Sequence, residues 1–186
     1  MPVTRALQLL PPLLFLWMIL RANLVFTRAV GRRSARGIGI VLSMYGTLGA
    51  AQMASTPPRW IQSVGAAGLF VSLALYEWAA RSIRGQVFSF AGNHDLPQFV
   101  HRSGPYAFVR NPFYLSYLLA EISTVVIWPS IWGAMLVALA TAYFQWLTRF
   151  EERKFAGSPV AAEYAGYAAT TGRLLPRLTG RSSPDP

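Results

Sequence analysis

Five stretches of this chain, 7–27, 37–54, 60–80, 112–128 and 129–150, are apolar for close to the length that crosses a membrane. A hydrocarbon layer about 30 Å thick takes about 20 residues of helix. Inside it only helices and closed barrels satisfy their own backbone groups. Periodicity within the five stretches is weak, as expected of helices that are apolar nearly all round. The expected fold is therefore an all-α integral membrane protein with five transmembrane helices. Three lie in 1–80, and the last two form a helical hairpin over 112–150, followed by a helical tail. With 53% hydrophobic and 13% charged residues, the composition departs from that of a soluble domain in the same direction. A length of 186 residues leaves no room for a large multidomain enzyme.

Prolines punctuate the stretches. Pro57 and Pro58 break the chain between the second and third, and Pro11 and Pro12 kink or start the first. Pro112 and Pro129 each suit the first turn of a helix, where a missing N–H is no loss. The first stretch is too long for the apolar part of a signal peptide and has no small-residue cleavage site at its end, so it reads as a span.

The seventeen Lys and Arg outnumber the seven Asp and Glu, for a formal charge of +10. In a soluble protein such a balance points to nucleic acid. Here the bases fall between apolar runs, which fits anionic headgroups and membrane orientation and not nucleic acid. The first link holds Arg28, Arg32, Arg33 and Arg36, and the third holds Arg81, Arg84, Arg102 and Arg110. The end of the fifth span and the tail hold Arg149, Arg153, Lys154, Arg173, Arg177 and Arg181. Only Arg5 and Arg59 fall on the other side, with Arg21 inside the first span. That asymmetry places the N-terminus outside and the tail in the cytoplasm, as in a multi-pass protein of a bacterial inner membrane.

Some chemistries are excluded. The chain has no Cys, which removes disulfides, thiolate metal sites and Cys nucleophiles. Two histidines, His94 and His101, are too few for a His-based metal cluster, so no metal is expected. The small residues Gly39, Ser43, Gly46 and Gly49, and Gly65, Gly68 and Ser72, read as close helix packing. Gly46 to Ala50 is not a nucleotide loop, because no strand precedes it.

Polar residues concentrate in 81–111, ending in GPYAFVRNPFY, and from Phe150 onward in EERKF and EYAGY. A hairpin between them returns Glu151 and Glu152 to the face that holds Arg110 and Asn111. Arg110 offers a donor fork matched to a carboxylate. A glutamate can accept from both hydroxyls of a ribose, and Tyr106, Tyr114, Tyr164 and Tyr167 offer faces for a purine or a cation. S-adenosylmethionine carries a carboxylate, a ribose, a purine and a positive centre. Methyl transfer from it relies on positioning and desolvation.

GPYAFVRNPFYLSYLL, followed by FEERKFAGSPVAAEYAGYAATTGRLLPRL, resembles the membrane methyltransferases that include isoprenylcysteine carboxyl methyltransferase and the phospholipid N-methyltransferases. Their pattern is G-x-Y, then R-[HN]-P-x-Y before a helical hairpin, then Glu-Glu, Tyr-x-x-Tyr and a terminal Pro. The resemblance covers roughly 98–178 and makes 81–186 the catalytic half. It implies a cytoplasm-facing S-adenosylmethionine pocket closed by the tail, with a tunnel from the bilayer for a lipophilic small-molecule or lipid-anchored acceptor. By motif it implies catalytic roles for Arg110, Asn111 and Glu152. It implies cofactor contacts from Val100, His101, Gly104, Tyr106, Arg110, Asn111, Pro112, Tyr114, Glu151, Glu152, Tyr164 and Tyr167. Asn111 stands where the prenylcysteine enzymes usually have His, and Asn does not titrate near neutrality.

Glu121 falls well inside the fourth stretch, where an ionisable group is costly and usually functional. It is either part of such a function or neutral and bonded to a neighbouring helix. Glu77 ends the third stretch and either closes the pocket or, as the favoured reading, pairs with Arg81. Two rival functions are an NADPH-dependent lipid or sterol-type reductase and a non-enzymatic multispan scaffold. The reductase needs room for a dinucleotide, which a tail of this length hardly supplies.

Overall fold

The computed structural model describes residues 2–26, 35–51, 57–84 and 96–177. Among them are six α-helices and no strand: α1 (Pro2–Phe26), α2 (Ala35–Ala51), α3 (Arg59–Ser82), α4 (Pro112–Ile127), α5 (Ile131–Ala156) and α6 (Ala161–Thr170). A 3₁₀ turn, Gly104–Ala107, precedes α4. Two helices, α3 and α5, are long and apolar enough to cross a membrane by length and composition. Shorter apolar runs occupy Leu9–Ala22, Ile40–Ala50 and Pro112–Ile127. Arg28, Arg32, Arg33, His94 and Arg181 lie outside the described residues.

Small residues decide how α3 meets α4. Ser72 Oγ donates to the carbonyl of Ser116 at 2.7 Å, so the two backbones approach closely at that turn. Gly65 faces Ile127 and the carbonyl of Ser123, and Gly68 faces the Ser123 side chain. Tyr76 meets Phe113 edge-on at 5.1 Å. These contacts run antiparallel, and they bring the C-terminal end of α3 beside the start of α4. The core continues through Phe15 and Met18 of α1, Met44 of α2 and Phe144 of α5, all buried. Tyr76 also donates from its hydroxyl to the carbonyl of Met18, which ties α1 to α3.

Three expectations are corrected. Glu77 does not pair with Arg81. It accepts from Arg21 Nε at 3.2 Å and from Trp17 Nε1 at 3.1 Å, because α1 lies against its face of α3. Pro129 lies outside the helix it was expected to open, since Ser130 is the N-cap and α5 begins at Ile131. Pro112, by contrast, does occupy the first turn of α4. The hairpin also does not end at residue 150: α5 runs on to Ala156 and carries Glu151 and Glu152 on helix. Arg153 and Lys154 in its last turn suit the negative end of the helix dipole. Pro11 and Pro12 both lie inside α1.

A Cβ at Gly65 would sit 2.9 Å from the carbonyl oxygen of Ser123 and closer still to Ile127. Gly65→Ala is therefore expected to cost about 1–3 kcal/mol by overpacking. Gly49→Ala, where no atom lies within 4 Å, is expected to leave stability unchanged or raise it. Thermal melting of the detergent-solubilised pair checks both.

Candidate functional site

The loop into α4 is set by one glycine. Gly104 has φ of 61°, and a Cβ there would lie 2.8 Å from the Cβ of Ser82 at the end of α3. Only glycine combines that left-handed backbone with that approach. Pro105 follows, Tyr106 is buried, and Val109 to Asn111 then lead into α4.

The tail pairs with this segment. Val109 and Gly172 form a parallel bridge. The Arg110 N–H donates to the carbonyl of Gly172 at 2.8 Å, and the Asn111 N–H donates to that of Arg173 at 3.1 Å. The Asn111 side-chain amide reaches the same Arg173 carbonyl at 3.1 Å. Asn111 thus secures the tail while its carbonyl starts α4 by accepting from the Leu115 N–H. From α6, Tyr167 donates to the carbonyl of Tyr106 at 2.6 Å.

The two glutamates of α5 point to different partners, as adjacent helix positions must. Glu151 Oε1 accepts from the Tyr114 hydroxyl at 2.8 Å. Glu152 is shared by two arginines. Arg173 binds it with both arms of its fork, Nε to Oε1 at 2.9 Å and Nη2 to Oε2 at 2.6 Å. Arg110 Nη2 meets Oε1 at 3.1 Å. Arg110 is only 9% exposed and its Nε, fully buried, has no partner. Two guanidinium groups around one carboxylate leave one positive charge in excess, with a buried donor still to satisfy.

Aromatic groups frame the same place. Tyr164 stacks on Phe155 with centroids 3.8 Å apart and lies beneath the Arg110 guanidinium at 5.9 Å. Arg102 lies over Tyr167 at 5.6 Å. His101 meets Tyr106 edge-on at 4.8 Å. Burial holds the Tyr106 and Tyr164 phenols above their ordinary range and pushes Tyr167 up to about 12. Burial lowers His101, which favours its neutral ring. The hydrogen bonds to Glu152 hold Arg173 above its usual value.

A cavity of about 670 Å³ joins these groups. Of the residues singled out in the sequence, Val100, His101, Tyr106, Arg110, Asn111 and Pro112 line it, as do Tyr114, Glu151, Glu152, Tyr164 and Tyr167. Gly104 does not line it and acts on the backbone instead. From the polar end the cavity extends into an apolar arm between α1, α2 and α4, walled by Met18, Ile19, Ile40, Val41, Met44 and Tyr117. The resemblance implied a tunnel toward the bilayer, but sequence reasoning named none of the residues that wall this arm, because nothing in a uniformly apolar helix marks the side that faces a cavity. It also counted Arg173 as one more cytoplasmic base. The signal for Arg173 was its place two residues before the Leu175-Pro176 end of the motif.

Residues 60–157, just over half of the chain, match the phospholipid methyltransferase family. The chain belongs to that family. Membership carries methyl transfer as the class of activity and a membrane as its setting. The matched region takes in α3, the hairpin and both glutamates, and it stops short of α6 and the tail that closes on them. Comparison with curated proteins finds no match.

The buried phenols generate a pH dependence. The folded state holds the Tyr167 proton more tightly than an unfolded chain does, whose phenol titrates near 10. Its contribution to stability is therefore complete below about pH 10 and is lost as the pH rises from there toward about 12. Phenolate absorbance and melting temperature, followed together, are expected to show late ionisation with a parallel fall in stability, and Tyr167→Phe is expected to lessen that fall.

Proposed function

We propose that the protein transfers a methyl group from S-adenosylmethionine to a lipophilic acceptor at the cytoplasmic face of a membrane. The observation that carries this reading is the two-part cavity. Its polar end offers a buried, unpartnered Arg110 Nε, and its other end is an apolar arm between helices.

The residues present fit the cofactor. The excess positive charge around Glu152 and the orphaned Arg110 N–H suit a single carboxylate. Tyr164 and Phe155, stacked on each other in the cavity wall, supply aromatic surface for a purine. Glu152 accepts two hydrogen bonds from Arg173 and meets Arg110 as an ion pair, which leaves it acceptor capacity, and Glu151 lies beside it on the cavity wall for ribose hydroxyls. When bound, S-adenosylmethionine supplies an electrophilic methyl on a sulfonium. The protein's part is to orient both partners and keep water out. Tyr106, Tyr114 and Tyr167 are buried around the polar end and give it an aromatic wall. Asn111, held by the tail, has no group that titrates near neutrality, so it orients and does not carry a proton.

Five spans with the N-terminus outside and the tail in the cytoplasm remain the topology that the basic residues favour. In that arrangement the polar end of the cavity faces the cytoplasm and the arm faces the bilayer. The acceptor is then an isoprenoid or lipid bearing a carboxylate, an amine or a hydroxyl.

Calorimetry on the detergent-purified protein with S-adenosylhomocysteine tests the cofactor reading. Wild type is expected to bind it. Arg110→Ala is expected to weaken binding by about 2 kcal/mol or more, roughly thirtyfold, and Arg110→Lys to recover part of that through charge without the fork. Binding of NADPH in place of S-adenosylhomocysteine would favour a reductase and overturn this reading.

A further inference from the structure

One buried ionisable group has no part in the site described above. Glu121 of α4 is fully buried, its Oε1 lies 2.7 Å from Ser43 Oγ of α2, and its Oε2 has no hydrogen-bond partner. Ser43 Oγ also lies 2.9 Å from the carbonyl of Ile40. A hydroxyl has one proton and cannot donate to both. A neutral Glu121 resolves the conflict: its O–H, on Oε1, donates to Ser43, and Ser43 donates to Ile40. Oε2 is then a carbonyl-type acceptor left unsatisfied in an apolar interior, a state that desolvation disfavours.

Its position relates it to the cavity. Tyr114 and Tyr117 of α4 line the cavity, and Glu121 is the next residue along the same helix face. On the opposing helix Ile40, Val41 and Met44 line the apolar arm, and Ser43 sits in the same turn. Neither Ser43 nor Glu121 lines the cavity itself; the pair stands behind the wall that these neighbouring residues form. Met44, flexible and unbranched, walls the arm beside it.

We propose that Glu121 is the deep polar anchor of the acceptor site. With the flexible Met44 side chain moved aside, its Oε2 accepts a hydrogen bond from a donor, a hydroxyl or an amide N–H, carried within the body of an otherwise apolar ligand. Seven residues separate Tyr114 from Glu121, so that donor lies about 10 Å deeper than the polar end. The ligand class is thus a long lipophilic molecule with two polar points: a head at the methyl-transfer end and a donor along its tail. The proposal rests on the reading of the arm as the acceptor site.

Dicyclohexylcarbodiimide, an apolar reagent that adds a protonated carboxyl across its C=N bond, gives a test that does not depend on activity. The full-length protein in detergent is labelled alone, with cetyl alcohol and with the methyl ether of cetyl alcohol, and the modified residues are located by mass spectrometry. Glu121 is expected to be labelled, and labelling to slow several-fold with the alcohol but not with the ether, which has no donor. Glu121→Gln is expected to lose the label at that position while binding S-adenosylhomocysteine as wild type does. Equal rates with alcohol and ether, or no labelling of Glu121, overturn the proposal. The same holds if Ser43→Ala and Glu121→Gln lower the melting temperature without the alcohol protecting against label, since the pair is then only a clamp between helices. Failure of wild type to bind S-adenosylhomocysteine would count against the cofactor reading and leave the labelling comparison to judge Glu121 separately.

Discussion

The carboxylate of Glu152 is the point at which three distant parts of the chain are held together. Arg110 comes from the loop before α4, Arg173 from the tail after α6, and Glu152 from the end of α5. With side chains 9% to 33% exposed, these charges are sheltered enough to interact more strongly than a surface pair, and none of them is left alone. The backbone follows the same geometry. The parallel pairing of 109–111 with 172–173 puts Arg110 and Arg173 side by side, so the tail is bound by its main chain and by its side chain at once.

That arrangement depends on helix packing some distance away. Gly65, Gly68 and Ser72 let α3 and α4 approach, which carries the end of α3 to the turn at Gly104. The turn aims Arg110, and the extra length of α5 beyond residue 150 brings Glu152 to meet it. The aromatic groups then close the polar end, with Tyr167 bonded across to Tyr106 and Tyr164 stacked on Phe155. Each step has a steric or hydrogen-bond cause, and the supports of the site are shared with the core.

Much of this was legible in the residues themselves. The bounds of α4 follow from Pro112 and the apolar run after it, and the stripe of small residues on α3 announced a close neighbour. The residues of R-N-P-F-Y, E-E and Y-x-x-Y were recognisable by type and order, and eleven of them and their neighbours meet in one cavity. Glu77 was misread because the only candidate partner visible along its own helix was Arg81. Its true partners, Arg21 and Trp17, are close only because α1 packs on α3. Pro129 was misplaced because a proline fits equally well just inside a helix and just before its cap.

By itself the sequence determined the helical class, the location of the polar clusters and the chemistry that their side chains can offer, because these follow from residue type, spacing and apolar length. The tertiary structure alone decided which side of each apolar helix faces a cavity, and which glutamate meets which partner. The physical reason is that an apolar stretch has no polar face to betray its orientation. A carboxylate, likewise, takes as partner whichever cation the packing of other helices brings within hydrogen-bond reach.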